Sequence, residues 1–338
     1  MNSISVVIPN YNRADLIGET LETLLRQTRA PDELIVVDDG STDDSVAEIS
    51  RFGDRVRLIR QENAGPAKAR NRGLAEATGE FIQFFDSDDL CSLNKLEVQS
   101  AALRRTGADF AYGPWVQARL EQGHARHPEP ALQQSALPPG RPALSWFLRG
   151  WVIVFQCCLF RRSLLDRVGG YRTDLMPSED SELLFRMLLA GARPVHTPES
   201  LVLYRLHDGS QISRGGMAEQ RRAADWLKYC TIVSEAIAGA PGIVPRSDAE
   251  QWRWRLWDAR QQYDVAFGAS AGAPGGNALH DLPFRLKRLA KRWRAGLGRR
   301  TNGSSFPRPY GPGPLTAMQQ DLIRAIGYEP ILDRTARG

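Results

Sequence analysis

Phe84–Leu90 reads FFDSDDL. An apolar run that opens at Glu80 stops there on three carboxylates, Asp86, Asp88 and Asp89, set within four residues. So much negative charge at the end of a strand of buried length needs a counterpart. Hard divalent cations such as Mg²⁺ or Mn²⁺ take oxygen ligands of this kind, and a cation shared with a bound diphosphate would neutralise both sides. The same residues also suit a solvated turn capping a helix that starts near Ser92. What separates the two readings is the company the stretch keeps.

Upstream, Ser3–Ile8 (SISVVI) is a short β-branched run of buried-strand length that ends at Pro9 and Asn10. Arg13–Gln27 carries Leu16, Ile17, Thr20, Leu21, Leu24 and Leu25 as a helical stripe. A second strand fits Glu33–Val37 and closes on DDGSTDD (38–44), where Ser41 or Asp43 would cap a helix over Ser45–Arg51. A third strand fits Val56–Arg60. ENAGPAKARNRGLAEATG (62–79) follows, with Gly65 and Pro66 as a helix opening and Gly79 as its stop. Glu80–Phe85 is then the fourth strand. Strand and helix alternating at short intervals imply right-handed crossovers and a parallel, doubly wound α/β sheet. Ligands of such sheets bind beyond the carboxyl ends of the strands. Pro9–Asn12, Asp38–Asp39 and Asp86–Asp89 all fall at those ends, which predicts one site fed by three strands.

Downstream, a helix is expected over Ser92–Thr106 and a strand over Asp109–Tyr112. Gln117–Gly140 has no clear period and reads as an irregular loop or weak hairpin over the site. Trp151–Phe160 is strand-like, interrupted by Gln156. SEDSELLFRMLLAG (178–191) opens an amphipathic helix with Leu183, Leu184, Met187 and Leu188 as its core stripe. Ser178 is its expected cap, and Glu179 and Asp180 favour the helix dipole in the first turn. Val195–His196 and Leu201–Leu203 are short strands. Beyond Ser213, Met217–Ala238 and Ser247–Phe267 read as helices, Ala269–Asn277 as a flexible linker, Thr301–Pro314 as a Gly- and Pro-rich stretch and Leu315–Ile326 as a last helix.

The chain has 338 residues, 42% hydrophobic and 25% charged, which suits an ordinary globular protein with a substantial core. Its net charge of +5 says less than its distribution, because Leu282–Arg300 holds eight Lys or Arg residues and no acid. Within it Leu282, Leu286, Leu289, Trp293 and Leu297 form one apolar stripe, the pattern of a basic amphipathic helix on an anionic membrane surface. The same stripe would equally suit packing on the chain's own core or on a second copy in a homo-oligomer. With Trp293 as its single aromatic it lacks the interleaving of a nucleic-acid stacking platform, so no nucleic acid is expected. The four cysteines show no CxxC and no framework, as expected of reduced thiols. No signal peptide is read in the first residues, and no apolar run approaches 18 residues. The expected location is cytoplasmic, peripheral at the inner face of the membrane.

Taken together, VVIPNYNR, VVDDGSTDD, ENAGPAKARNRGL, FFDSDD, SEDSELLFR and YRLHDGSQIS, in that order, resemble glycosyltransferase family 2, the inverting nucleotide-sugar transferases of GT-A fold. Each motif is weak alone and the six in order are strong. The resemblance covers Ser3 to about Ser213; the tail beyond it matches no family we can name. It implies a GT-A catalytic domain over 1–213, with a nucleotide-sugar half at 1–113 and an acceptor half at 114–213. A helical extension at 214–268 follows, then a linker, basic helix and tail at 269–338. By the same resemblance Pro9 and Tyr11 lie beside the nucleotide base, Asp39 with Asp38 accepts a hydrogen bond from it, commonly uracil, and Arg70 lies near the base or diphosphate. Asp86 matches the first acid of the DxD motif near the ribose, and Asp88 the second, a ligand for Mn²⁺ or Mg²⁺. Asp180 matches the catalytic base, and His207 sits where many members place a histidine near the metal, though a hydrogen-bonded loop histidine fits as well.

The implied reaction is transfer of a sugar from a nucleoside-diphosphate donor, a UDP-sugar by the family's habit, to a surface polysaccharide, lipid-linked glycan or peptide. The competing class is a nucleotide-sugar or carbohydrate-binding module that kept the fold and lost catalysis. Both the metal acids and the base candidate are present, which favours the enzyme. Cys157 and Cys158 read as core residues without chemistry.

Overall fold

The computed structural model describes residues 3–126, 136–207, 218–268 and 315–330. The linker at 269–277, the basic stripe Leu282–Leu297, the Gly- and Pro-rich stretch and the part of YRLHDGSQIS after His207 lie outside the described residues.

The chain alternates β1 (Ile4–Asn10), α1 (Ala14–Leu25), β2 (Glu33–Asp38), α2 (Ser45–Ser50), β3 (Arg57–Arg60), α3 (Pro66–Glu76) and β4 (Phe81–Phe84). After β5 (Leu90–Cys91) come α4 (Lys95–Thr106), β6 (Phe110–Tyr112), β7 (Trp115–Glu121) and β8 (His124–Arg126). Then follow α5 (Ala143–Leu148), β9 (Cys158–Arg161), α6 (Arg162–Val168), α7 (Glu179–Leu189), β10 (Pro194–His196) and β11 (Val202–Arg205). The main sheet has the order β10-β6-β9-β4-β1-β2-β3 and is parallel except for β9, which runs antiparallel to both neighbours. Both faces of β1, β2 and β4 are buried. Val7, Ile35, Val37, Ile82 and Phe84 pack one core, while Ile4, Val6, Ile8, Leu34 and Phe81 pack the other under α1 and α4. That is why these strands read as near-continuous apolar runs rather than alternations. Gly73 of α3 lets the helix lie against β1, for a Cβ there would come 2.3 Å from Val7 Cγ1.

Two expectations for the middle of the chain change. Trp151–Phe160 is not one strand: Phe155–Cys157 forms a 3₁₀ turn and only Cys158–Arg161 joins the sheet. The turn aims Gln156 at Asp89, to which its Nε2 donates at 2.7 Å. Gln117–Gly140 was open between loop and hairpin, and its first part is a hairpin of β7 and β8. The hairpin belongs to a second sheet, β12-β8-β7-β11-β5, whose last strand β12 (Glu329–Pro330) returns from the far end of the chain behind α10 (Ala317–Ile326). Leu315, Ile323 and Ile326 pack beneath it, so 315–330 docks on the second sheet.

The helical extension shares the main core too. α8 (Glu219–Ala238) and α9 (Arg246–Ala266) pack as a hairpin, with Tyr229, Cys230, Val233, Trp252 and Ala259 joined to the core that includes α5 and α7. Trp252 stacks with Phe147 at 6.3 Å and donates its Nε1–H to the Cys230 carbonyl. Asp248 of α9, fully buried, pairs with Arg149 at 2.5 Å and accepts from Ser145. Among the described residues no helix is long and apolar enough to cross a membrane.

Candidate active site

The carboxyl ends of β1, β2 and β4 open into one cleft of about 480 Å³, lined among others by Pro9, Tyr11, Asp39, Arg70, Asp86 and Asp88. The N-terminus of α7 closes its opposite side with Glu179 and Asp180. The structure therefore brings together seven of the nine residues singled out in the sequence. Of the other two, Asp38 lies beneath the cleft and His207 reaches it through Asp88.

The two acids after β2 do different work. Asp38 is buried and accepts from Asn10 Nδ2 at 3.0 Å and from the Ser41 amide at 3.1 Å, tying β1 to the turn. Asp39 accepts from Gln61 Nε2 at 2.7 Å and from the amides of Ala64 and Gly65 at 2.9 and 2.8 Å. It thus answers the amides that lead into α3 while one edge faces the cleft. Tyr11 is 45% exposed at the mouth, an aromatic face offered to solvent beside Pro9. Asp43 holds two helix starts at once, accepting from the amides of Ala14 and Ser45 at 3.0 Å each.

The three acids of FFDSDDL separate by environment. Asp89 is buried, accepts from Gln156 and from the Arg205 amide at 2.9 Å, and so clamps β11 to the β4 exit. Burial and the charges of Asp88 and Asp86 push its carboxyl well above the ordinary range. Asp88 points to the cleft. Burial would raise its carboxyl, but hydrogen bonds and charge from His207 and Arg13 outweigh burial and hold it below the ordinary value. Arg13 Nε donates to its Oδ2 at 3.0 Å, and His207 Nε2 lies 3.1 Å from the same oxygen. Asp86 is raised by burial, with the charges of Asp88 and Asp180 adding to it and Arg70 opposing. The Asp88 carboxylate and His207 imidazole offer an oxygen and a nitrogen of the type a divalent cation takes. Among the described residues no group of three His, Cys, Asp or Glu converges to cage one, so a cation there would need its remaining ligands from a bound diphosphate and water.

Arg70 is the hub. From α3 its Nη2 donates to Asp86 Oδ1 at 2.8 Å and its Nη1 to Glu179 Oε1 at 3.4 Å, and its guanidinium lies over the Tyr171 ring at 5.3 Å. Burial disfavours its charge, yet the carboxylates of Asp180, Asp86 and Glu179 hold its pKa above the ordinary value. Tyr171 is fixed in turn by the next residue of α3, for Asn71 exchanges two hydrogen bonds with its backbone at 2.8 and 2.7 Å. The neighbouring Gly170 makes that approach possible, since a Cβ there would sit 2.3 Å from Asn71 Oδ1.

Glu179 and Asp180 face this cation from α7. Burial and the Asp180 charge, against Arg70, push the Glu179 carboxyl up to about 7. Asp180 is half-buried and lines the cleft, with its carboxylate beside the Tyr171 hydroxyl. A carboxylate that lines a cleft is of the kind that takes a proton from a bound hydroxyl. Ser178, expected as the side-chain cap of α7, makes no capping bond. Asp225 of α8 holds the residues that lead into the helix, accepting from the amides of Met176 and Ser178 at 2.5 and 3.1 Å. Arg13, Gln156, Tyr171 and Asp225 were not singled out in the sequence. Only Arg13 stood in a quoted motif at the cleft's edge.

Residues 5–169 match the family model for glycosyl transferase family 2. The glycosyltransferase GlyG of Streptococcus pneumoniae is 31% identical over 221 residues, 61% of this chain and 72% of that protein. The Escherichia coli UDP-Glc:α-D-GlcNAc-diphosphoundecaprenol β-1,3-glucosyltransferase WfgD is 40% identical over 112 residues, 32% of this chain and 44% of that protein. This chain spans less than a fifth of some other curated relatives. The mannosyltransferase PcManGT from Pyrobaculum calidifontis, solved in complex with GDP-Man and Mn²⁺, has the same fold at 22% identity. The TM-score is 0.56, and the alignment covers 96% of this chain and 86% of that one.

Proposed function

The chain belongs to glycosyltransferase family 2, as a nucleotide-sugar transferase of GT-A fold, and from that premise we propose that it moves a sugar from a UDP-sugar to a hydroxyl of a lipid-linked glycan or growing surface polysaccharide with inversion. The observation that carries the reading is the cleft itself. Asp86 and Asp88 lie on one side and Asp180 on the other, with Arg70 bonded to Asp86 between them. WfgD, by its name, takes UDP-glucose and a diphosphoundecaprenol-linked acceptor, which supports both choices.

In this reading Asp180 takes the proton from the acceptor hydroxyl as its oxygen attacks the anomeric carbon. The bond from that carbon to the diphosphate oxygen breaks with its electron pair, and the nucleoside diphosphate leaves. Attack from the face opposite the leaving group inverts the centre, and no sugar is held covalently. Arg70 keeps its positive charge among the carboxylates of Asp180, Asp86 and Glu179. Pro9, Tyr11 and Asp39 receive the base of the nucleotide, and Asp86 its ribose. Asp88 and His207 would hold a divalent cation, Mn²⁺ or Mg²⁺, whose charge stabilises the departing diphosphate. Arg13 shares the same Asp88 oxygen and keeps it poised on the cleft side. The cation in PcManGT supports this part of the reading.

The test is a panel of nucleotide sugars offered to the purified chain with Mn²⁺, Mg²⁺ or chelator. The expected result is thermal stabilisation by one donor class and slow, cation-dependent release of its nucleoside diphosphate. Absence of both for every UDP-, GDP- and dTDP-sugar would overturn the assignment.

A further inference from the structure

A second concavity, a groove of about 1020 Å³, runs between α8 and α9. One wall is the face of α8 on which Glu219, Arg222 and Trp226 recur at helical spacing, and the other is the face of α9 with Trp254, Asp258, Gln261 and Gln262. Both lie beyond residue 169, where the family match ends. The groove ends on Pro177 and Ser178, and Pro177 also lines the active-site cleft. The two concavities therefore meet at the residues that lead directly into Glu179 and Asp180. Asp225, on α8 next to Trp226, holds that junction through its bonds to the Met176 and Ser178 amides.

The lining has a definite chemistry. Trp226 and Trp254 are half-buried and present broad apolar faces, and Trp226 is braced by Tyr229 at 5.4 Å between ring centres. Around them arginine donates only, aspartate and glutamate accept only, and glutamine does both. Gln262 Nε2 donates to Asp258 at 2.8 Å, which orients the amide. A sugar ring offers an apolar C–H face and a rim of hydroxyls that donate and accept, so it is complementary to this mixture. Glu219 and Asp258 balance Arg222 and Arg255, leaving no net positive field to draw a polyphosphate chain or an anionic lipid surface. The volume is at the upper end for a ligand pocket, which suits several linked residues rather than one.

We propose that the α8–α9 groove is the acceptor subsite of this enzyme and binds a neutral oligosaccharide segment behind the residue being extended. This rests on the transferase reading above and adds where, and to what chemistry, the acceptor binds. It is tested by measuring binding of laminarihexaose, chitohexaose and mannohexaose to the full chain, with hyaluronan hexasaccharide and polyphosphate as anionic probes. At least one neutral hexasaccharide is expected to bind, and Trp226→Ala, Trp254→Ala and Gln261→Ala are each expected to weaken it about tenfold. UDP should still stabilise each variant, which separates loss of the groove from loss of the fold. Three results would overturn the proposal: no neutral probe binding at millimolar concentration, binding indifferent to all three substitutions, or preference for the anionic probes. Glycan binding that survives in a protein turning over no nucleotide sugar would instead overturn the transferase reading and leave the groove standing.

Discussion

Replacing Arg70 with methionine tests the electrostatic account of the cleft. The substitution keeps an unbranched apolar stem over Tyr171 and removes the one cation that touches both Asp86 and Glu179. At an effective dielectric of about 20, each such contact is worth about 4 kcal/mol before desolvation is counted. The Asp86 side chain is 33% exposed, so water screens part of its pair, and removing the arginine also removes its own cost of burial. Breaking a buried pair by deleting one partner typically costs about 3–5 kcal/mol, and the lower end is expected here, about 3 kcal/mol near pH 8.5. The cost depends on pH with a definite sign. Glu179 already titrates at about 7 because it is buried beside Asp180, and Arg70 is what holds it from rising further. A carboxyl raised above its unfolded value of about 4.5 contributes stability that is complete below that value and is lost as pH rises through the folded value. Without Arg70 the folded value rises, so the loss becomes steeper. At about pH 5.5 Glu179 is largely protonated and needs no counter-charge, and the cost of Arg70→Met should shrink to about 1 kcal/mol. Urea denaturation of both proteins at the two pH values, followed by tryptophan fluorescence, measures the difference. An equal loss at both pH values, or a variant as stable as the parent at the higher one, would refute the reasoning.

Asp180→Asn should lower turnover by about 100- to 10,000-fold while stabilisation by the nucleotide sugar persists, because the amide keeps the shape and cannot take a proton; transfer at the parental rate would require another base. Asp88→Ala should abolish the dependence of turnover on Mn²⁺ or Mg²⁺ together with most of the activity, and a parental enzyme fully active in excess chelator would remove the cation from the reaction. Gly73→Ala should destabilise by about 1–3 kcal/mol despite the better helix propensity of alanine, because its Cβ would meet Val7 Cγ1 at 2.3 Å inside a filled core. A melting temperature at or above that of the parent would show that β1 can yield there.

What the sequence by itself determined is the part of the protein governed by local periodicity. Apolar runs at 3–8, 33–37 and 80–85, with amphipathic stripes between them, can bury both strand faces only in a parallel sheet layered by helices, and the structure has that sheet. The ends of those strands must then converge, which is why Pro9, Asp39, Asp86 and Asp88 were legible as neighbours before any coordinate was known. The helices of 219–238 and 246–266 were legible for the same reason. Only the tertiary structure decided which group answers which. Arg70 meets Glu179 across 109 residues, Arg13 meets Asp88 across 75, and Asp225 holds the Ser178 amide across 47. The second sheet was hidden because its strands are as short as two residues and pair across long separations, Cys91 with Val202 and His124 with Glu329. Trp151–Phe160 looked like one strand because every residue but Gln156 there is apolar or a small thiol, yet its hydrogen bonds go to a turn that serves Asp89. Periodicity records which side of an element faces apolar surroundings, a property each segment carries alone. A hydrogen bond or an ion pair belongs to two segments at once, and the distances that raise Glu179 to about 7 exist only when the chain has folded.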